Sequence, residues 1–276
     1  VVGDNVIECT QAEYTDAGLA VIFGYGRERV EGAPQVGSFQ AKRCAILNQC
    51  EQAGIPVVSM DSGLFISYQH KKYWRVGLGS PLNDGDFFDA DYDEQRAIQF
   101  TKDTGIYPKP YHKRREYIIL CLQPSLNWSM KGRDPITWAN DKIKEIRQYT
   151  DMPIHVRNHP GDPDALDKVE MIGNTRQYKA GKTPLWQHCQ RAHALVTFNS
   201  TAATDALAEG TPVFVDHPEC HAWPVANTDI SNITSPYYYD RTDWFNRICY
   251  RIWRYDEMAN GTLYKRIKNY LERKNN

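Results

Sequence analysis

The sequence has no excess of charge, no long apolar run and no ordered set of cysteines. Lysine and arginine number 33 against 34 aspartates and glutamates, so no basic field covers the whole surface, and contact with nucleic acid would need a local patch. The seven cysteines are odd in number and form no Cys-x-x-Cys pair, which indicates free thiols in a reducing compartment. No apolar stretch approaches the roughly 20 residues of a membrane span.

No secretory signal is recognisable near the start of the chain. We therefore expect a cytoplasmic protein, in the host cytoplasm if the source is viral, without a membrane partner. The first residue is Val1 and not Met, which leaves open whether the N-terminal domain begins further upstream.

An acidic metal site is also missing from the sequence. Four aspartates are spread through a segment rich in Tyr and Phe, at Asp84, Asp86, Asp89 and Asp91. They do not form a convincing carboxylate pair for a divalent ion, and we interpret the segment as a solvated loop. The sequence predicts no metal and no bound cofactor.

Apolar runs and helical patterns alternate along the chain. Residues 19–24 and 55–63 have the pattern of strands, and residues 39–54 between them have helical spacing that stops at a glycine. A second alternation covers residues 117–216, where Asp134 caps one of the helices. Such an alternation predicts an α/β fold with parallel sheets joined by crossover helices.

The pattern divides the chain into three parts. We predict an N-terminal α/β domain at 1–112, a C-terminal α/β domain at 113–240, and C-terminal helices at 241–276 that pack back on the domains. Residues 66–116 are less regular, and we interpret them as loops over the first sheet followed by a linker.

Polar residues gather where the predicted strands end, which is the edge at which open α/β sheets bind ligands. Asp61, Gln123, Arg157 and Asn199 each follow an apolar run. A guanidinium can hold a phosphate or a carboxylate with two hydrogen bonds, and the nearby His159 can donate one more. A surface arginine and a satisfied histidine are the alternative.

The turn at the end of the strand predicted at 195–199 allows two interpretations as well. Ser200 and Thr201 precede an alanine-rich helix, where such residues commonly act as N-caps. Backbone N–H groups of the first helical turn also suit an anion such as phosphate. Two polar turns in one predicted sheet favour the phosphate interpretation.

These motifs resemble a known family of enzymes. The stretches "RNHP" and "PLWQHCQRAHALVTFNSTAATDALAEGTPVFV" resemble the donor-binding half of GT-B glycosyltransferases. The similarity is to the branch of capsule sialyl- and Kdo-transferases and of phage DNA-modifying glycosyltransferases, with its "HP" turn, "NS(S/T)" turn and helix ending in "EALxxGxPV". Asp205 stands where the family has a glutamate that holds the nucleotide ribose.

The resemblance implies two Rossmann-like α/β domains facing each other across a cleft, and a nucleotide sugar as co-substrate, with UDP as the expected nucleotide. The leaving phosphate would be neutralised by side chains and helix N-termini without a metal. The predicted donor site consists of Gln123, Ser125, Arg157, His159, Pro160, Asn199, Ser200, Thr201 and Asp205.

Asp61 is the candidate catalytic base. The stretch "SMDSGLF" resembles the acidic turn that carries the base in the same branch, with Ser62 as a departure from its pattern. A carboxylate at the end of a strand before a glycine-containing loop suits this role. A cap of its own turn is the alternative.

Two segments mix cations with aromatic residues and are candidates for contacting the acceptor. One is the segment at 68–75 and the other is at 109–117. Cations track phosphates and aromatic rings stack on bases, whereas a solvated surface with a few packed rings is the commoner case. The predicted acceptor residues are His70, Lys71, Lys72, Tyr73, Trp74 and Arg75.

Three functions remain open. The first is a glycosyltransferase acting on a hydroxylated or hydroxymethylated pyrimidine in DNA, which would have to be accessible or flipped out. The second is a capsule-type polysaccharide glycosyltransferase. The third is a non-enzymatic nucleotide- or DNA-binding protein on a GT-B scaffold.

Overall fold

The computed structural model describes residues 18–24, 39–68, 73–112, 115–125 and 128–274. The chain forms two compact units, and each is described by itself. The first unit comprises residues 1–64, 71–99 and 246–276, and the second comprises residues 65–70 and 100–245. These limits differ from the predicted boundaries at 112 and 240, because neither unit is continuous in the sequence.

The first unit contains a four-stranded mixed sheet. Its strands are β1 (Ala20–Phe23), β2 (Val57–Ser62), β3 (Tyr73–Leu78) and β9 (Ile252–Arg254), in that spatial order. β1 runs parallel to β2, whereas β2–β3 and β3–β9 are antiparallel pairs. The helices are α1 (Phe39–Gln52), α7 (Tyr255–Ala259) and α8 (Thr262–Lys274), with parts of α2 (Gln95–Thr104) and α6 (Thr242–Tyr250).

The core of the first unit joins residues that are distant in the sequence. Val58 and Val76 from neighbouring strands pack with Trp253 of β9 and with Leu263 and Ile267 of α8. The leucine and the isoleucine are four residues apart and therefore lie on the same face of α8. The C-terminal segment is thus part of this core.

The second unit contains five parallel strands. They are β4 (Tyr117–Cys121), β5 (Ile154–Arg157), β6 (Thr175–Tyr178), β7 (Ala192–Thr197) and β8 (Val213–Val215). Their spatial order is β6-β5-β4-β7-β8, with every pair parallel. This is the doubly wound order, and the chain reverses direction across the sheet between β4 and β7. The predicted α/β class is confirmed.

The two faces of the second sheet differ in chemistry. One face carries the apolar core, which includes Ile118, Leu120, Ile154 and Val156. Because side chains alternate along a strand, the intervening residues point to the opposite face. That face carries Arg157, among others, and it is packed by α4 (Leu185–Cys189) and α5 (Ala202–Ala208), while α3 (Pro135–Ile146) packs with the apolar core.

Gly210 ends α5 for a steric reason as well as a conformational one. Its φ is +78°, which side chains disfavour, and a Cβ there would lie 2.3 Å from the carbonyl oxygen of Pro110. The segment before β4 runs along this point, since Lys109 N donates to Ala208 O at 2.9 Å and His112 N donates to Gly210 O at 3.2 Å. Only glycine allows so close an approach.

Most predicted elements are present, and four of the elements in the described residues were missed. The interpretation of residues 66–116 as loops and linker is wrong, because they contain β3 and α2. The tail, predicted as amphipathic helices, also contains β9, and β6 was not predicted. The helix cap at Asp134 is confirmed, since its Oδ2 accepts a hydrogen bond from Thr137 N at 2.8 Å.

Candidate functional site

Gln123 and Asn199 join the carboxyl ends of β4 and β7, where the order of the strands reverses. Gln123 Oε1 accepts a hydrogen bond from Asn199 N at 3.0 Å, and Gln123 Nε2 donates to Asn199 Oδ1 at 2.7 Å. Asn199 Nδ2 also donates to Ser129 O at 2.7 Å. Both side chains are buried. The amide groups that were predicted to bind a ligand instead hold together the turns that follow β4 and β7.

Arg157 ends β5, and one nitrogen of its guanidinium has no hydrogen-bond partner among the described residues. The residue is 7% exposed, and its Nη2 donates to Thr183 O at 2.7 Å. Its Nη1 is buried and has no hydrogen-bond partner among the residues that the structure describes. A buried charged donor without a partner is costly, and a ligand or an ordered water would satisfy it.

The turn after Arg157 is fixed by hydrogen bonds that leave His159 facing solvent. Gly161 N donates to His159 Nδ1 at 3.0 Å, so a neutral imidazole carries its proton on Nε2. Desolvation lowers the pKa of His159, which favours that neutral form. Ser125 N donates to Asp162 Oδ2 at 2.9 Å and ties the loop after β4 to the same turn. Pro160 is exposed between them.

The turn before α5 contains one hydrogen bond of the kind that the capping interpretation expects, and it is made by Ser200. Ser200 Oγ accepts a hydrogen bond from Ala202 N at 3.2 Å, and Thr201 is the N-cap residue without a capping bond from its side chain. Both residues are partly exposed. The Ser200 hydroxyl still has its own hydrogen to donate, because in this bond it acts as acceptor.

The ends of β5 and β7 flank β4. With a strand spacing of 4.7–4.9 Å, the ends of β5 and β7 are about 10 Å apart. A single ligand that reaches both turns must pass over the end of β4, where Gln123 lies. The arrangement therefore suits an extended anionic ligand better than a single small anion.

Asp205 lies inside α5 and is buried. It is 3% exposed, its Oδ2 accepts a hydrogen bond from Ser67 N at 3.3 Å, and its Oδ1 has no partner among the described residues. Burial raises its pKa to about 7, with Arg157 acting in the opposite direction. The carboxyl group that the resemblance assigns to a ribose contacts a 3-10 turn at Ile66–Tyr68 of the same unit.

The same turn is held by a second carboxylate that sequence reasoning missed. Glu209 is buried and pairs with Lys109 Nζ at 2.6 Å. Tyr68 donates its hydroxyl to Glu209, and its ring stacks on Trp186 at 5.8 Å between centroids. Nothing in the spacing of Lys109 and Glu209 signals this contact, since 100 residues separate them.

A stack of aromatic rings and histidines packs against the guanidinium of Arg157. Tyr178 lies under Arg157, 5.8 Å from ring centroid to guanidinium carbon, and donates its hydroxyl to Thr183 Oγ1 at 2.9 Å. Its ring stacks on His188 at 3.9 Å, and His188 Nε2 lies 3.0 Å from His155 Nδ1. Burial lowers the pKa of His188 to about 3, so it stays neutral beside the arginine. Tyr178 and Thr183 thus position Arg157.

Asp61 lies near the end of β2 in the first unit and is engaged in an ion pair. Its Oδ2 is 3.1 Å from Arg75 Nη2, and its Oδ1 accepts a hydrogen bond from Ser62 N at 2.6 Å. The two residues are directly opposite each other in the β2–β3 register. Arg75 Nε also donates to Ser62 O at 2.6 Å, so the guanidinium belongs to the sheet.

The predicted acceptor residues fall into two groups. His70, Lys71 and Lys72 lie outside the described residues. Tyr73, Trp74 and Arg75 are in β3, where Tyr73 and Arg75 are buried. Trp74 is partly exposed, contacts Phe23 edge-on at 5.3 Å and stands opposite Trp253.

The aspartates between β3 and α2 are not a solvated loop. Asp89 pairs with Arg247 at 3.4 Å, Asp91 pairs with Arg273 at 2.8 Å, and Asp86 accepts the hydroxyl of Tyr270. Asp84 Oδ1 accepts a hydrogen bond from Ser80 Oγ at 2.7 Å. These carboxylates hold the segment against α6 and α8. Within the described ranges, no group of three or more His, Cys, Asp or Glu side chains is arranged to hold a metal ion.

Membrane insertion has no candidate helix in the part of the chain that the structure describes, because none is both long enough and apolar enough to cross a bilayer.

Comparisons with known proteins give structural neighbours only. No protein-family model matches the chain, and no curated protein matches it. Two solved structures of KpsC from Thermosulfurimonas dismutans are similar to this chain. The β-Kdo 2,4 transferase matches over 83% of this chain and 78% of its own, with a TM-score of 0.49 and 13% identity. The β-Kdo 2,7 transferase matches over 76% of this chain and 80% of its own, with a TM-score of 0.48 and 14% identity. The glycosyltransferase SnogD from Streptomyces nogalater is similar over 76% of this chain and 56% of its own, with a TM-score of 0.30 and 14% identity.

Proposed function

We propose that this chain is a glycosyltransferase that uses a nucleotide sugar as donor. The observation that carries the proposal is Arg157, a buried cation at the carboxyl edge of a doubly wound sheet, whose Nη1 has no hydrogen-bond partner among the described residues. This edge, near the reversal of strand order, is where such sheets bind nucleotides. The sequence motifs of the same turns, which resemble those of GT-B glycosyltransferases, favour a nucleotide sugar over other phosphates.

The chemistry of the transfer matches the groups present in the second unit. The acceptor hydroxyl attacks the anomeric carbon, the bond from that carbon to the phosphate oxygen breaks, and its electron pair stays on the leaving nucleotide. Arg157 Nη1, the Nε2–H of His159 and the hydroxyl of Ser200 are donors for that developing charge. Arg157 Nη1 has no hydrogen-bond partner among the described residues, and the bonds described above do not use the Nε2–H of His159 or the hydroxyl hydrogen of Ser200.

Asp61 is the proposed base that takes the proton of the acceptor hydroxyl. Its ion pair with Arg75 fixes the orientation of the carboxylate at the end of β2. The alternative is that this pair serves the sheet alone, because the charges are directly opposite across two strands. A variant that keeps the shape and removes the charge separates the two roles.

The acceptor is a separate part of the proposal. A hydroxylated or hydroxymethylated pyrimidine in DNA is the first candidate, and it rests on the sequence resemblance alone. Tyr73 and Arg75, two members of the cationic and aromatic patch invoked for DNA, are buried in the sheet. A capsule-type polysaccharide acceptor is the alternative, and a nucleotide-binding protein without catalysis is the third.

The test combines donor binding with transfer. We expect a uridine nucleotide to bind in calorimetric titration, and Arg157→Gln to weaken it by about 1.5–3 kcal/mol, or roughly 10- to 150-fold in Kd. Arg176→Gln is the matched control, because Arg176 is an exposed cation on the neighbouring strand β6. If both variants bind as the wild type does, Arg157 is not a phosphate ligand.

The transfer reaction is tested with a panel of nucleotide sugars. Each is incubated with hydroxymethylated DNA or with an oligosaccharide acceptor, and products are identified by mass spectrometry. Glycosylated nucleosides would support the DNA acceptor, and an extended oligosaccharide would support the capsule-type alternative. If the protein binds nucleotide but neither hydrolyses the donor nor transfers its sugar, the result would support the third alternative, a nucleotide-binding protein without catalysis.

A further inference from the structure

A second concave surface lies beside β8, the edge strand of the second sheet. It is a cavity of about 190 Å³, which we call the tyrosine pocket. Its lining consists of two tyrosines and a set of short polar residues: Tyr237, Tyr239, Asn227, Thr228, Asp229, Asn232 and Ser235. None of these residues belongs to the proposed donor site. Arg157 lies on β5, three strands away and therefore at a distance of about 14 Å or more.

The two tyrosines give the pocket an apolar wall. Tyr237 is 69% exposed, and Tyr239 is partly exposed. Their ring centroids are 5.1 Å apart and the ring planes are inclined by 51°, so the two faces form an angled surface. An aromatic ring that projects into solvent beside a cavity offers a flat apolar face and a polar hydroxyl to a ligand.

The polar side chains around this wall are open to a ligand. Thr228, Asn232 and Ser235 make no side-chain hydrogen bond to any residue that the structure describes. Asp229 Oδ1 accepts one hydrogen bond, from Ser231 N at 2.9 Å. Hydroxyls and an amide can both donate and accept, which is the pattern needed to recognise hydroxyl groups.

The pocket is built on a fixed loop. Asn227, in a parallel bridge with Phe214 of β8, donates from Nδ2 to Val213 O at 3.3 Å and to Tyr237 O at 3.2 Å. Its Oδ1 accepts a hydrogen bond from Tyr237 N at 2.8 Å. One buried side chain, which we call the clamp, thus bonds to both the N–H and the carbonyl group of Tyr237. Because the backbone of Tyr237 is already fixed, it loses little conformational entropy when a ligand binds.

Size and charge select the class of ligand. The cavity is smaller than the pockets that hold drug-sized ligands. Its only charged lining group is an aspartate, which disfavours anions such as phosphate. A pyranose has an apolar C–H face for the rings and hydroxyls for the polar rim. We propose that the tyrosine pocket binds one neutral pyranose unit of a carbohydrate, independently of the proposed transfer reaction.

The experiment uses saturation-transfer NMR on the full chain with methyl pyranosides as probes. The panel contains the glucoside, galactoside, mannoside and N-acetylglucosaminide, with inorganic phosphate in a separate titration. We expect saturation transfer to at least one pyranoside, strongest on its ring C–H protons. Tyr237→Ala should weaken binding about tenfold. The clamp survives this substitution, because Asn227 bonds only to the backbone of Tyr237.

Two further variants make the test decisive. Tyr255→Ala is the control, because Tyr255 is 74% exposed on α7 of the other unit and should leave binding unchanged. Asn232→Ala removes a polar group of the rim and should weaken binding while the rings remain. The proposal is overturned if no pyranoside receives saturation, if Tyr237→Ala binds as the wild type does, or if phosphate occupies the pocket instead.

Discussion

Replacing Asp205 with Asn should stabilise the protein at neutral and alkaline pH. The carboxyl group is 3% exposed, accepts one hydrogen bond from Ser67 N, and has no partner for Oδ1 among the described residues. Burial therefore raises its pKa to about 7, against about 3.9 in an unfolded chain. Asn has nearly the same shape as the protonated acid and remains neutral at every pH.

The sign and size of the effect follow from proton linkage. Between pH 4 and 7 the folded chain holds a proton at Asp205 that the unfolded chain has released. The free energy of unfolding then falls by up to about 1.4 kcal/mol per pH unit in this window, and by at most about 4 kcal/mol above pH 7. The Asn variant does not have this loss. Its advantage over the wild type should widen by about 2–3 kcal/mol between pH 5 and 8.

Urea unfolding monitored by tryptophan fluorescence at a series of pH values measures the difference. Because the chain has two units, the transition that responds to the substitution must be followed separately. Asp164→Asn, at an exposed position, is the matched control. Parallel pH profiles, or an Asn variant that is less stable at pH 8, would show that Asp205 is ionised in the folded protein and that Arg157 supports its charge.

Three other predictions concern catalysis, metals and packing. Asp61→Asn should retain nucleotide binding and reduce transfer by roughly 10²–10⁴-fold, and near-normal transfer by the folded variant would remove it from the mechanism. Transfer should survive EDTA, because the aspartates between β3 and α2 are engaged with residues of α6 and α8; loss in EDTA with recovery in magnesium or manganese would contradict this. Gly210→Ala should lower the unfolding free energy by more than about 2 kcal/mol, because strain at positive φ adds to a clash with Pro110 O. Gly105→Ala, at a φ of +72° with open space around the Cβ, should show the strain alone, and equal losses in the two variants would refute the clash.

The sequence predicted the fold best where the residues within one strand or helix are sufficient to indicate that element. The apolar run at β4 and the Asp–Pro start of α3 depend on local preferences, and both elements appear where they were predicted. β3 and β9 carry no such signal, since β3 contains Arg75 and β9 is three residues long. β3 pairs with β2 on one side and with β9 on the other, and β9 is so far along the sequence that no local pattern encodes this second pairing.

The candidate site shows the same division. Polar residues at the ends of parallel strands were placed from topology alone, and the doubly wound order brings those ends to one edge. Their partners could not be derived. Gln123 and Asn199 were each assigned to a ligand, whereas they bond to each other. Asp61 was assigned as the catalytic base and Arg75 as an acceptor-binding residue, whereas they form an ion pair. In a sequence, two polar residues that bond to each other cannot be distinguished from two residues that bind a ligand.

The pairing of β3 with β9 has a consequence for the order of events during synthesis. About 170 residues separate the end of β3 from the start of β9, and the whole of the 100–245 segment emerges between them. At a synthesis rate of 5–20 residues per second, about 10–35 s pass between the synthesis of β3 and that of β9. During this time the backbone groups on the edge of β3 that later pairs with β9 have no strand partner. An open strand edge of this kind is a template for another chain. We therefore expect the sheet of the first unit to be completed after the second unit has been synthesised. Association between nascent copies of this chain is expected to be strongest on polysomes, where neighbouring ribosomes bring the open strand edges close together.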